Sequence, residues 1–162
     1  MQGEAKSRQM EAVRAHTVAE LLECPPAVAL LLNATSQSLD FDAGQYVFRQ
    51  SESCRGLYLM VSGQFQRKTE RLEKRLTLST VHPGDLAELA AALGDGRHTY
   101  SLVAQTAGSV LMLPMEALNQ AFQLYPALRM QLLEELAREV SRAYCACYLN
   151  RGVSHRRGSS AA

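Results

Sequence analysis

Residues 84–106 read GDLAELAAALGDGRHTYSLVAQT. The stretch leaves a Pro83-Gly84-Asp85 turn and passes through an Ala-rich segment with helical character. It breaks at Gly94-Asp95-Gly96 and enters a strand over Ser101–Gln105. A short helical turn framed by strands and a Gly-rich loop is one way a chain cradles a phosphate. Backbone N–H groups at a helix start lack intrahelical partners and can meet an anion. The residues around this cradle decide whether it is wired for that use.

Upstream, the chain is punctuated by glycine. Ser38–Asp42 alternates with period two, Ala43-Gly44 turns the chain, and Tyr46–Phe48 is a short strand. Ser51–Arg55 is a polar turn. Gly56–Val61 is a buried strand closed by Ser62-Gly63, and Phe65–Lys68 continues outward. Glu70–Arg75, with both signs interleaved, reads as a solvated hairpin tip, and Leu76–Val81 as the strand after it. Ser109–Leu113 is the last strand. Short strands at intervals of about 8–12 residues with Gly turns indicate an antiparallel barrel, roll or jelly roll.

Both flanks are helical. Val18–Cys24 and Ala27–Asn33 are short apolar helices separated by Pro25-Pro26. After Pro114 the period returns to helical, with Met115–Phe122 as one helix. Pro126 sits at the first position of another, and no Gly or Pro occurs from 127 to 150. That run would span about 36 Å, with Gly152 suited to follow its end. Leu128, Leu132, Leu136, Val140, Ala143 and Cys147 form one apolar stripe. Met130, Leu133, Ala137, Tyr144 and Tyr148 form a second. One stripe can pack on the roll, whereas the other needs a partner. The fold class is therefore mixed α+β and mainly β: an antiparallel, cupin-like roll with N-terminal helices and a long C-terminal helix. The organisation read is a flexible segment 1–16, a domain 17–152 and a disordered tail 153–162.

Composition bounds the function. With 162 residues and a net charge of +1, the chain is long enough for one core and carries no general charge argument for nucleic acid or membrane. No apolar run reaches the roughly 18 residues of a spanning helix, and residues 1–16 lack the apolar centre of a secretory signal. Cys24, Cys54, Cys145 and Cys147 are scattered, and His16, His82, His98 and His155 are dispersed. Reduced thiols, a cytoplasmic location and no metal are expected. No nucleophile motif, Gly-Lys phosphate loop or His-Glu-x-x-His is present, so no enzyme activity is expected.

The order of parts resembles the cyclic-nucleotide-binding domain, in particular the sensor half of the Crp/Fnr-type bacterial regulators. The resemblance rests on Phe41–Phe48, Gly56–Gly63, Pro83-Gly84-Asp85 and Val103–Thr106, and it spans roughly Leu21 to Cys147. It implies a cassette in which a Gly-Glu-Leu-Ala segment opens a short helix. There the helix start meets the cyclic phosphate, the Glu accepts from the ribose 2′-hydroxyl, and an Arg about nine residues on grips the phosphate.

Two registers place that cassette on Ala87, Glu88, Leu89, Ala90, Arg97, His98, Thr99 and Tyr100. Without gaps, Glu88 takes the Gly position, Leu89 the Glu position and His98 the Arg position, while Tyr100 fills a small-residue position. The anchors are then lost. Shifted by one residue, Ala87–Ala90 takes the Gly-Glu-Leu-Ala place, and Glu88 and Arg97 keep the nine-residue spacing. The flanking strands favour the first register and the kept spacing favours the second. The outward reading of Glu88 and Arg97 is a solvated surface pair, and that of His98 a half-buried polar residue.

The function read from the first register is a stand-alone regulatory sensor or interaction module with a degenerate phosphate cassette. It would signal through dimerisation or a partner output protein. The second register implies a working module for cAMP or cGMP. A cupin-like catalytic roll is disfavoured for want of a His/Glu metal set on the strands. Only ten residues follow Gly152, too few for a helix-turn-helix, so no direct DNA binding is expected. A homodimer is expected through Leu132, Leu136, Val140, Ala143 and Cys147.

Overall fold

The structure is a computed structural model that describes residues 18–71 and 74–156. The expected flexible segment 1–16 and residues 72–73 of the expected hairpin tip 70–75 lie outside the described residues, as does the side chain of Cys147, while Glu70 pairs with Arg75 and Arg71 with Lys74 in the strands. Two short helices come first, α1 (residues 18–22) and α2 (Pro26–Thr35). Eight strands follow. They are β1 (Gln37–Phe41), β2 (Tyr46–Phe48), β3 (Gly56–Ser62), β4 (Phe65–Arg71), β5 (Lys74–Val81), β6 (Leu86–Ala87), β7 (Ser101–Ala104) and β8 (Gly108–Pro114). The helix α3 (Leu89–Leu93) lies between β6 and β7, and α4 (Met115–Leu124) and α5 (Pro126–Arg156) close the chain.

The strands form two antiparallel four-stranded sheets, in the orders β1-β8-β3-β6 and β2-β7-β4-β5. Alternation along the strands explains why β3 and β8 read as unbroken apolar runs. Leu57 and Leu59 of β3, with Leu111 and Leu113 of β8, face a core shared with α1, α2, α4 and the start of α5. Tyr58, Met60, Val110 and Met112 face the interior of the roll with Phe48, Phe65 and Leu102. Both faces are buried, so neither strand needs a polar side. Gly56 is required where β3 begins, because a Cβ there would collide with the carbonyl of Leu113.

Two expectations are corrected at α5. The helix does not end at Asn150 with Gly152 beyond it. It continues through Gly152 to Arg156, so residues 153–156 are helix rather than tail. A single interior Gly costs a helix only about 1 kcal/mol, less than a full turn of backbone hydrogen bonds returns. The proposed seam is also divided. Leu132 is buried in the chain's own core and Leu136 packs against that core. Val140 and Ala143 are exposed, because α5 runs past the edge of the roll. No helix among the described residues is long and apolar enough to cross a membrane.

Candidate functional site

The site is built where two loops pair. The turn after β2 and the loop before β7 are joined by Ser51 N–H to His98 O at 2.8 Å, His98 N–H to Glu52 O at 2.9 Å, and Cys54 N–H to Gly96 O at 2.7 Å. Ser53 and Arg97 form an antiparallel bridge. Extended pairing forces neighbouring side chains to opposite faces. Arg97 therefore turns outward, where its Nη1 donates to Ser51 O at 3.2 Å. His98 turns inward, only 3% exposed, and stacks on Phe48 with ring centres 3.9 Å apart.

Glu88 lies between β6 and α3 with φ 73° and ψ 31°, the left-handed region that suits glycine. An L-residue held there costs of order 1 kcal/mol or more. Contacts of the inward-turned Glu88 carboxylate with His98 and Thr99 offset that strain. One carboxylate oxygen lies 2.7 Å from His98 Nδ1 and the other accepts from Thr99 Oγ1 at 3.2 Å. The Glu88 N–H donates to the Tyr100 hydroxyl at 3.0 Å. The pair Glu88–His98 is buried, with side-chain exposures of 0% and 2%. Both outward readings are thus corrected. Glu88 is no surface group, because its carboxylate turns inward to His98 and Thr99, and His98 is fully buried because loop pairing seals it.

Glu88 faces the site, whereas Leu89 packs in the helix-side core with Ala92. Ala87 is buried in the interior of the roll, and Ala90 is half-buried on α3. At the other end His98, not Arg97, enters the site. Glu88 and Arg97 keep their spacing in sequence but point to different faces of the loop pair.

Cys54 and Arg67 escaped the sequence reading. Cys54 Sγ donates to Gly56 O at 3.1 Å, and burial raises its thiol pKa. One donor atom from each of Cys54, Glu88 and His98 lies within 4.8 Å of the others. Arg67 of β4 reaches across the roll mouth. Its Nη2 donates to Glu139 Oε1 of α5 at 2.6 Å and to Leu86 O at 3.3 Å, and its guanidinium lies 5.2 Å from the Tyr100 ring centre. The Arg67 Nε is buried without a hydrogen-bond partner. Tyr100 has its pKa raised, mainly by burial. Two open surface depressions around Asp40 and Phe41 share no lining residue with this cluster.

The sequence profile described as cyclic nucleotide-binding domain matches residues 38–125. The chain belongs to that family. Among solved structures it is similar to the sensor domain of the transcriptional regulator DNR from Pseudomonas aeruginosa. The TM-score is 0.69 and the identity 22%, over 88% of this chain and 93% of that one. It is similar to the Thermus thermophilus catabolite activator protein, with TM-score 0.68 and 26% identity over 79% of this chain and 60% of that one. It also resembles the regulatory domain of Toxoplasma gondii PKA, solved with cAMP, with TM-score 0.68 and 16% identity over 87% and 52% of the two chains. No similar sequence was found among curated proteins. These likenesses agree with the antiparallel roll and its C-terminal helix.

Proposed function

We propose that this chain is a cytoplasmic, non-catalytic regulatory module whose phosphate cassette is filled by its own side chains. It responds little to cAMP or cGMP and passes its signal through α5 to a second copy or an output protein. The carrying observation is the Glu88 N–H, which is engaged by the Tyr100 hydroxyl at 3.0 Å beside a buried Glu88 carboxylate. A helix-start N–H spent on a tyrosine is not free for phosphate. Two like charges about 4 Å apart repel by roughly 4 kcal/mol at an effective dielectric constant of about 20. A phosphate entering beside Glu88 would meet that repulsion, and among the described residues no guanidinium offsets it there: Arg97 faces outward and Arg67 is held by Glu139.

Calorimetric titration with cAMP and with cGMP tests the reading. Binding is expected to be weaker than about 100 µM, or roughly −5.5 kcal/mol. The double variant His98→Arg with Tyr100→Ala supplies a fork and releases the Glu88 N–H. It should bind at least about tenfold more tightly, a gain of roughly 1.4 kcal/mol. Micromolar binding by the wild type that vanishes in Arg97→Ala would establish the other register and a working nucleotide pocket using Glu88 and Arg97.

The output surface rests on a separate pattern. Met130, Leu133, Ala137, Val140 and Tyr144 recur at intervals of three and four along α5, the spacing of a two-helix seam. Met130 is 57% exposed, Val140 61% and Tyr144 69%, so this face is left open by the chain's own fold. Pairing α5 with its copy would bury it. Sedimentation of the wild type at tens of micromolar should give a dimer, and Ala137→Glu with Val140→Glu should give a monomer, since each places a charge in the apolar seam. A monomeric wild type would remove the homodimer from the proposal and leave only a different output partner for that face.

A further inference from the structure

We propose that Cys54, Glu88 and His98 form a binding site for a divalent transition-metal ion of the zinc class, a property separate from the regulatory reading above. Three chain segments supply the donors: the turn entering β3, the residue before α3 and the loop before β7. Their donor atoms all lie within 4.8 Å of one another. Bond lengths of about 2.0–2.3 Å to S, N and O place donors on one zinc ion roughly 3–4 Å apart. Side-chain shifts on the order of an ångström therefore close the site. The Glu88–His98 contact of 2.7 Å must open slightly, and Cys54 Sγ must leave the Gly56 carbonyl. Neither change asks the backbone to move.

The donor chemistry selects the ion. A thiolate, an imidazole nitrogen and a carboxylate oxygen suit zinc or cobalt and disfavour magnesium and calcium, which take oxygen ligands. Charge also balances. A dication with one thiolate and one carboxylate is neutral, which suits a pair of side chains buried as deeply as Glu88 and His98. Binding releases the thiol proton of Cys54, while His98 coordinates as the neutral imidazole with its one N–H on the nitrogen that is not the ligand, and no redox change is involved. Cys54 is only half-buried, so the turn gives the ion a way in. Phe48 stacks on the His98 ring and fixes its plane. Three protein ligands leave one position for water or a small ligand. The linear dispersal of histidines hid this set, because only loop pairing brings Cys54 and His98 together.

The test uses the whole chain, stripped with chelator and dialysed against Co²⁺. One cobalt per chain is expected, with a near-ultraviolet thiolate charge-transfer band that Zn²⁺ displaces. Cys54→Ser should abolish the band, and Cys145→Ser, on the exposed face of α5, should leave it intact. His98→Gln should weaken cobalt binding by at least about tenfold. Should that variant fail to fold, Cys54→Ser still decides, since the Cys54 thiol's hydrogen bond is to the Gly56 carbonyl at the surface-facing turn. Cobalt at background in the wild type would overturn the proposal. So would a thiolate band that survives Cys54→Ser.

Discussion

His98→Ala is expected to destabilise the fold by about 3–5 kcal/mol, the usual cost of leaving a buried carboxylate without its partner. At roughly 2–4 °C per kcal/mol for a domain of this size, the melting temperature should fall by roughly 6–20 °C. Glu88 has a side-chain exposure of 0%, so its carboxylate cannot recover hydration when the imidazole is removed. Thr99 Oγ1, at 3.2 Å, would be its remaining side-chain partner. The lost stacking against Phe48 adds a cavity. The reciprocal change should be far milder. Glu88→Gly removes the buried charge outright and relieves the left-handed backbone at φ 73°, worth about 1 kcal/mol. It leaves His98 with one unmet hydrogen bond, about 1–3 kcal/mol. Denaturant melts of both variants, with chelator present so that no metal contributes, measure the asymmetry. A loss below about 1 kcal/mol in His98→Ala, the worth of one ordinary hydrogen bond, would mean that water reaches the carboxylate and the pair is not desolvated.

The same residues show what the sequence makes legible. The roll is readable because its signals are local. Gly56 and Gly63 bracket β3, and the unbroken run between them is what a strand buried on two faces requires. The exit helix is readable from the run without Gly or Pro, although its end is not, because one glycine is too weak a stop. The family resemblance pointed to the segment between β6 and β7 for a cassette and left two registers open. The direction of each side chain depends on features with no local signature. Glu88 turns inward, from a left-handed position, to meet His98 and Thr99. His98 turns inward and Arg97 outward because residues 51–54 pair with residues 96–98 across more than forty positions. The Arg67–Glu139 bond joins residues 72 apart, one from a charged strand and one from a helix face. Nothing in either segment marks its partner. Leu132 shows the limit of stripe reading, since periodicity identifies an apolar face but not which body covers it.

Alkaline pH should unfold the chain earlier than its ordinary tyrosines would suggest. Tyr58 faces the roll interior at 4% exposure, and its pKa is pushed up to about 12, chiefly by burial and then by the nearby Cys54, Glu88 and Glu52. Tyr100 is shifted in the same direction, again chiefly by burial. A phenol with a raised folded-state pKa stabilises the fold fully below its unfolded value of about 10. Between about pH 10 and 12 the unfolded chain sheds these protons while the folded chain keeps them, so unfolding stability falls as pH rises. Each tyrosine contributes a slope of up to about 1.4 kcal/mol per pH unit in that window. The two together can remove a substantial part of the 5–15 kcal/mol that typically holds a domain. Stability should therefore be flat from about pH 7 to 9.5 with respect to these groups and drop steeply above 10. Tyr58→Phe removes one titrating phenol without changing ring packing against Phe48, 5.0 Å away. That variant should move the alkaline midpoint upward and leave the neutral-pH melt nearly unchanged. Tyr100→Phe should move it upward too, but with a loss at neutral pH, because the Glu88 N–H would lose its 3.0 Å acceptor. An alkaline profile identical in wild type and Tyr58→Phe would show that the Tyr58 phenol is already open to water in the folded state.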